Sequence, residues 1–439
     1  MKGYIKRFLD INTTLERRSI FLLGPLMSGK TNLIENEIKK PVLYWNLHSN
    51  ALYYKVIQNP ALLEETLKRE KLKDDIVVID EIERVPELLY TVHQFIEDTD
   101  LVFLLTASSI RPLKKEGVHS LGARVIRKNF HPLCYPELKD RDDYNLKNIL
   151  YTGLLPEIYQ KPMKAESLLE EFKAAYLEKE IYIENKVKDL PLFISFLEKA
   201  AVYNGEIINY TSLSEELGVS TKRLKTWYSI LIDTFMIKEI KPYGKEKDTS
   251  HSCFYFFDTG VARSIAHMSL PTETMTEFGV LFETYIMMEI TAYLDYSGLY
   301  GTELTYYRSS DGRREVDFII GDDVAIEVKS AKNITDKHLV SLRELKEEGL
   351  FSRYIVVSRE ETPRMLSDSI LILPWKRFLD KLWNGEIYSK KKLRVYGKHS
   401  IVLCFPFLLL EYFFKKPLCA SFIEIDSKNS SYYPTYRPR

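Results

Sequence analysis

Cysteine is nearly missing from this chain. Four occur in 439 residues, at Cys134, Cys253, Cys404 and Cys419, far apart and with neither a C-x-x-C nor a metal-ligand spacing. That excludes a disulfide framework or zinc ribbon and suits a reducing compartment. Net charge is missing too: 62 basic and 62 acidic residues cancel. Nothing global announces nucleic acid or an acidic membrane surface, so any basic patch must be local. Long apolar runs are absent but for 401–414, which holds a Pro and a Glu and falls short of the ~20 residues of a membrane helix. No apolar stretch of a secretion signal follows the charges of Met1 to Arg7. The expectation is a soluble cytoplasmic protein with no membrane span, long enough for two to four domains.

What is present begins with one loop. Gly24, Pro25, Leu26, Met27, Ser28, Gly29, Lys30 and Thr31 fit Gly-x-x-x-x-Gly-Lys-Thr. The apolar run Ser19 to Leu23 before them reads as a buried strand, and 32–40 after them as an amphipathic helix. Strand, glycine loop and helix start make a phosphate cradle, because backbone N–H groups and the helix dipole face the anion. The pattern predicts a bound nucleoside triphosphate, with Lys30 on the β- and γ-phosphates and the Thr31 hydroxyl on Mg²⁺.

A second strand, Asp75 to Ile79, is apolar throughout, as a central parallel strand covered on both faces should be. It ends in Asp80, placed to hold Mg²⁺, and Glu81, placed to act as general base on the attacking water. The plainer reading is that the two acids cap a following helix. Further strands are expected over 41–47 and 101–105. The latter ends in Thr106, Ser108 and Ser109, any of which can sense a γ-phosphate, with Ser108 counted among the ATP-binding residues. Strands alternating with helices predict an α/β fold, a doubly wound parallel sheet with nucleotide at its carboxyl edge. Arg124 is a candidate to neutralise the transferring phosphoryl, with Arg111 behind it; a surface arginine without a partner is the alternative. An arginine acting in trans would require a homo-oligomer.

From about Leu190 the pattern turns to short helices: 193–203, 210–217 closed by Gly218, and 221–232 with Ser220 or Thr221 as N-cap. This is a helix-turn-helix signature, and 237–242 with 253–257 would form a wing hairpin. Lys222, Arg223 and Lys225 open the third helix, where such domains contact DNA. The local charge balance equally suits a protein–protein module.

In the last third, strands 315–320 and 324–329 are joined by a three-residue loop. A simple hairpin sets Asp317 opposite Glu327 with Lys329 on the same face. Like charges so placed repel, and a metal ion would remove the repulsion. Two chelating acids and a lysine suit phosphodiester hydrolysis, whereas a solvated strand face gives the same pattern for no chemical reason. The spacing Asp-x9-Glu-x-Lys resembles the PD-(D/E)xK nucleases, a resemblance that implies a further glutamate on an earlier helix, where Glu283 fits.

Taken together, Gly24 to Thr31, Ile79 to Glu81, Thr106 to Ser109, Thr152 to Glu157, Phe282 and Glu283, Glu315 to Phe318 and Glu327 to Lys329 resemble a family of archaeal and bacterial ATPases. The resemblance runs from Ile5 to Glu386. It implies an AAA-type P-loop domain over 1–140, a helical connector over 141–190, a winged helix over 191–265 and a PD-(D/E)xK-like α/β domain over 275–386, leaving a tail over 387–439. The chain departs where Gly122 and Ala123 precede Arg124 instead of Ala-Gly, and where the glycine pair before Pro156 is reduced to Gly153. The implied activity is Mg²⁺-dependent ATP hydrolysis coupled to a DNA-binding or DNA-processing C-terminal half. The alternative is a nucleotide-controlled switch whose nuclease-like domain cuts nothing and binds a protein or nucleic-acid partner.

Overall fold

The computed structural model describes residues 3–38, 43–70, 76–115, 124–182, 189–244, 252–269, 272–273, 275–309 and 311–389. Residues 120–123 and the tail from 390 onward, both read from sequence above, lie outside them.

The first sheet contains β1 (Ser19–Leu23), β2 (Leu43–Asn46), β3 (Ile76–Asp80), β4 (Val102–Ala107) and β5 (Val125–Asn129). All neighbours are parallel, in the order β2-β3-β4-β1-β5. Side chains alternate across the pleat. Ile20, Leu22, Val78 and Leu104 bury against Leu33 and Ile34 of the helix Lys30–Glu37. Phe21, Leu23, Val77, Ile79, Phe103 and Leu105 bury on the other face with Leu88, Leu89 and Val92 of the helix Leu88–Asp98. Both faces are dry, which is why these strands read as unbroken apolar runs. The chain leaves β1 towards β2 and returns to β5 on its other side, so the crevice at the carboxyl end of β1 is where a ligand fits.

Helices Ala165–Tyr176, Leu190–Val202, Tyr210–Leu217 and Thr221–Asp233 follow. Asn209 caps the third, accepting from the N–H groups of Thr211 and Ser212, and Gly218 ends it in the left-handed conformation at φ 65°. Ser220 caps the fourth, accepting from Arg223 N–H. The antiparallel pair β6 (Ile237–Pro242) and β7 (Cys253–Phe256) comes next.

That hairpin does not stand apart. Its strand β6 also pairs in parallel with β8 (Leu304–Arg308) through Lys241 with Thr305 and Pro242 with Tyr306. The result is an eight-stranded sheet, completed by β9 (Glu315–Ile320), β10 (Val324–Val328), β11 (Arg353–Ser358), β12 (Arg364–Met365) and β13 (Leu371–Pro374), in the order β12-β13-β11-β10-β9-β8-β6-β7. Two segments that the sequence separates therefore share one sheet. The helix Thr276–Tyr296 is buried on nearly every side, as a helix apolar all round must be. Its Glu289 accepts from Tyr135 N–H and from the Trp383 indole, and its Asp295 meets His131 at 2.6 Å. It thereby joins the parallel sheet to the last third of the chain.

Candidate functional site

The phosphate loop is shaped by its glycines. A Cβ on Gly24 would lie 2.2 Å from the Phe130 carbonyl oxygen, so only glycine permits the end of β5 to pass this closely. Gly29 takes φ 95° and Met27 φ 58°, the alternation that turns successive N–H groups to one side as an anion nest. The helix Lys30–Glu37 starts directly after Gly29, so its dipole adds to the same point. Lys30 Nζ donates to the carbonyls of Gly24 (2.8 Å) and Pro25 (2.9 Å). Burial pushes its ammonium down to about 8, with Glu83 opposing.

Strand β3 brings the acids to the loop. Thr31 Oγ1 donates to Asp80 Oδ2 at 2.7 Å, and Thr106 Oγ1 donates to the other carboxylate oxygen. Two hard oxygen donors side by side at the end of β1 and β3 are the donor set Mg²⁺ takes. Glu81 sits in the left-handed region at φ 63°, a conformation costly to a non-glycine residue and common at reacting sites. Its N–H is held by Thr106 Oγ1 at 3.0 Å. Burial alone would raise its pKa. The Lys179 ammonium, 2.6 Å away, offsets this with help from His48, and the carboxyl stays below the usual range.

Of the three residues left open at the end of β4, Thr106 touches Asp80 directly. Ser108 gives both its N–H and its hydroxyl to Glu83 Oε1, at 2.8 and 2.7 Å. Arg124 is placed otherwise than the sequence suggests. It precedes Val125, which pairs with Ser19 at the amino end of β1, and it forms an ion pair with Glu97. The phosphate loop is at the opposite end of the same strand, roughly 16 Å along it. Within one chain Arg124 serves no phosphoryl group.

Two cations escape sequence reasoning. Arg7 is buried beside the loop, donating to the Ser28 carbonyl (2.9 Å) and paired with Glu137 at 3.0 Å. Lys179 arrives from the irregular helical turn Leu177–Tyr182. Neither belongs to a local pattern; long-range folding brings them here.

The second acidic cluster lies between the long helix and the eight-stranded sheet. The pairs Val324–Ile320, Ala325–Ile319 and Ile326–Phe318 continue to Glu327 facing Asp317, the simple-hairpin register. Lys329 Nζ meets Glu327 Oε1 at 2.6 Å, Asp317 Oδ2 accepts from Val328 N–H at 2.6 Å, and Glu283 accepts from the Tyr255 hydroxyl. All four charges feel one another. Burial and then Asp317 push the Glu327 carboxyl up to about 8, and burial and then Asp317 also raise Glu283 well above its ordinary value. Burial works against the Lys329 ammonium, but Asp317 and Glu327 hold it above its ordinary value. The other oxygen of Glu327 is buried with no hydrogen-bond partner. Among the described residues, no three His, Cys, Asp or Glu converge on one metal position.

Lys222 and Lys225 are exposed at the start of the helix Thr221–Asp233, and Arg223 is half-buried over the Trp227 ring at 4.8 Å. Lys225 lines a groove of about 770 Å³ together with Asn209, Thr221, Arg308 and Glu315. The groove thus runs from this helix to the strand that carries Asp317.

No helix among the described residues is long and apolar enough to cross a membrane. No curated protein matches the chain. A solved structure of the Aeropyrum pernix ORC1 protein in complex with DNA aligns at 15% identity over 61% of this chain and 95% of that one, with a TM-score of 0.28, a likeness too slight to argue from. Residues 143–272 match a domain of unknown function (DUF8612) and residues 278–378 another (DUF4143). Residues 16–139 match the AAA domain family, which with the loop geometry above makes the first third of this chain an AAA-type P-loop domain.

Proposed function

We propose that this chain binds ATP with Mg²⁺, hydrolyses it, and couples hydrolysis to a C-terminal half that binds DNA. The observation that carries the reading is the 2.7 Å contact of Thr31 with Asp80 at the mouth of a strand–glycine loop–helix cradle, with Glu81 beside it. Magnesium bound by Thr31 and Asp80 would supply charge neutralisation on the phosphates. The loop N–H groups and Lys30 bind and orient the triphosphate. Thr106 fixes the Asp80 carboxylate and the Glu81 backbone together. Glu81 takes a proton from water as the water oxygen bonds to the γ-phosphorus. The bond from that phosphorus to the β,γ-bridging oxygen breaks, and ADP leaves with its electron pair. Phosphate release from ATP with Mg²⁺ tests this. A Lys30→Ala protein that releases phosphate at the wild-type rate sinks it.

DNA binding is supported by the capped helix Thr221–Asp233, read as the recognition helix of a winged helix, with Lys222 and Lys225 exposed. The groove from Lys225 to Arg308 and Glu315 extends that surface towards a PD-(D/E)xK-like domain.

A second reading is favoured by the far cluster. Glu327 is matched by Lys329 and Asp317 by a backbone N–H, which suits a nuclease-like domain that binds and does not cut, under nucleotide control. Plasmid incubated with Mg²⁺ or Mn²⁺ separates the two: cleavage lost in Asp317→Ala restores the nuclease, and its absence in every condition supports the switch.

A further inference from the structure

The cation expected of Arg124 is missing from the carboxyl end of the parallel sheet in its own chain, and another cation stands there. Lys179 Nζ lies 2.6 Å from Glu81 Oε1, 3.1 Å from Ser108 Oγ and 3.8 Å from Glu83 Oε1. These three partners come from the residues just past β3 and β4, the strand ends beside the phosphate loop. The lysine is one-fifth exposed, so its ammonium is neither loose in water nor sealed in a core. It sits on a helical turn wound more widely than an α-helix, a form that recurs at functional positions. That turn belongs to the connector between the P-loop domain and the helices that follow.

We propose that Lys179 is the cation that reads the terminal phosphate of bound ATP, exchanging its partner from Glu81 to the γ-phosphoryl oxygens. The inference rests on the ATPase reading given above. Its chemistry follows from what each partner can do. While the ion pair with Lys179 holds, one Glu81 oxygen is committed to an ammonium and cannot accept a proton from water. A γ-phosphate brings more negative charge than one carboxylate and presents it to the same long, rotatable side chain. Moving the ammonium to the phosphate neutralises charge where the transferring group develops it and in the same motion frees Glu81 to act as base. ADP lacks the terminal group and leaves the pair closed. Because Lys179 is anchored in the connector, the exchange draws on the chain leading to the C-terminal half, so nucleotide state is felt there without a neighbouring subunit.

Affinities for ADP and for a non-hydrolysable ATP analogue, each with Mg²⁺, test the exchange in the wild type, Lys179→Ala, Lys179→Arg and Lys30→Ala. Lys179→Ala is expected to weaken the analogue about 10-fold or more while changing ADP less than about twofold, and to lower kcat at least about 10-fold. Unchanged ADP binding certifies that the variant is folded, and Lys179→Met, which keeps the aliphatic stem, substitutes for it otherwise. Lys179→Arg is expected to retain the preference for the triphosphate. A wild-type preference in Lys179→Ala overturns the proposal, as does faster hydrolysis, which would make Lys179 a mere brake. Lys30→Ala reports separately on the ATPase reading: if the wild type binds and this variant does not, only Lys179 is at stake. A wild type that binds neither nucleotide overturns both.

Discussion

Two acidic centres in this chain each contain a lysine 2.6 Å from a glutamate, Lys179 with Glu81 and Lys329 with Glu327, yet the glutamates are shifted in opposite directions. Glu81 is held below the usual carboxylate range, whereas Glu327 is pushed up to about 8. The ion-pair distance does not decide the outcome; the company does. Glu81 stands at the open end of parallel strands with Lys179 and His48 on it. Glu327 is enclosed between two strands and a helix, with Asp317 facing it and Glu283 near. One centre keeps its glutamate ionised, and the other favours the protonated form even with a lysine beside it.

The largest effect that can break this comparison is at the first centre. Glu81→Gln should lower kcat by roughly 10²- to 10⁴-fold while ATP binding persists, seen in phosphate release and equilibrium binding. A variant within threefold of wild type would remove Glu81 from the chemistry. At the second centre, Lys329→Met should cost about 2 kcal/mol in denaturant unfolding, less than a fully buried pair because the lysine is one-third exposed. Adding Asp317→Asn should recover part of that loss. If Lys329→Met is neutral, the enclosed acids are already uncharged and the lysine is ornamental.

A third buried acid calibrates both. Burial raises Glu289 to about 8, above its value in the unfolded chain. The proton it holds in the fold therefore contributes stability fully below about pH 4.5, and that contribution is lost as pH rises to about 8, with a slope of at most about 1.4 kcal/mol per pH unit. Glu289→Gln should flatten the stability profile between pH 5 and 8 in melts, and an unchanged slope would place the titration elsewhere. The smallest effect is outside both centres: Lys225→Ala should weaken DNA binding evenly across sequences and reduce the salt slope by about 1. No change in a titration of binding against salt would take the helix Thr221–Asp233 off the DNA.

How far each centre could be read from sequence follows the same division. Gly24 to Thr31 and Asp80 with Glu81 are contiguous signals, because a phosphate cradle is made by neighbours in the chain. The simple-hairpin register at Asp317 and Glu327 was also legible, since three residues join the strands. Lys179 and Arg7 were not: Lys179 meets Glu81 across 98 residues of chain, Arg7 meets Ser28 across 21 and Glu137 across 130, and neither spacing nor periodicity marks either of them. The place of Arg124 was not legible either: the strand Val125–Asn129 that follows it was not read from the sequence, so nothing there put Arg124 at the amino end of the sheet beside Glu97. The sharing of β6 between hairpin and sheet was hidden because a strand's second edge leaves no trace in its own residues.

That shared strand has a practical consequence for dissecting the molecule. Beyond the Lys241 and Pro242 pairs, Tyr243 N–H donates to the Tyr306 carbonyl at 2.7 Å, so the seam is stitched at successive positions. A fragment ending between 265 and 275 would keep β6 and lose β8, baring an edge that another copy can zip onto. Such a fragment should elute as oligomers, and cutting after β13 and its following helix would avoid this. The hairpin β6–β7 and the carboxylate sheet are thus one continuous piece, and a swivel between them would first have to unpick a seam.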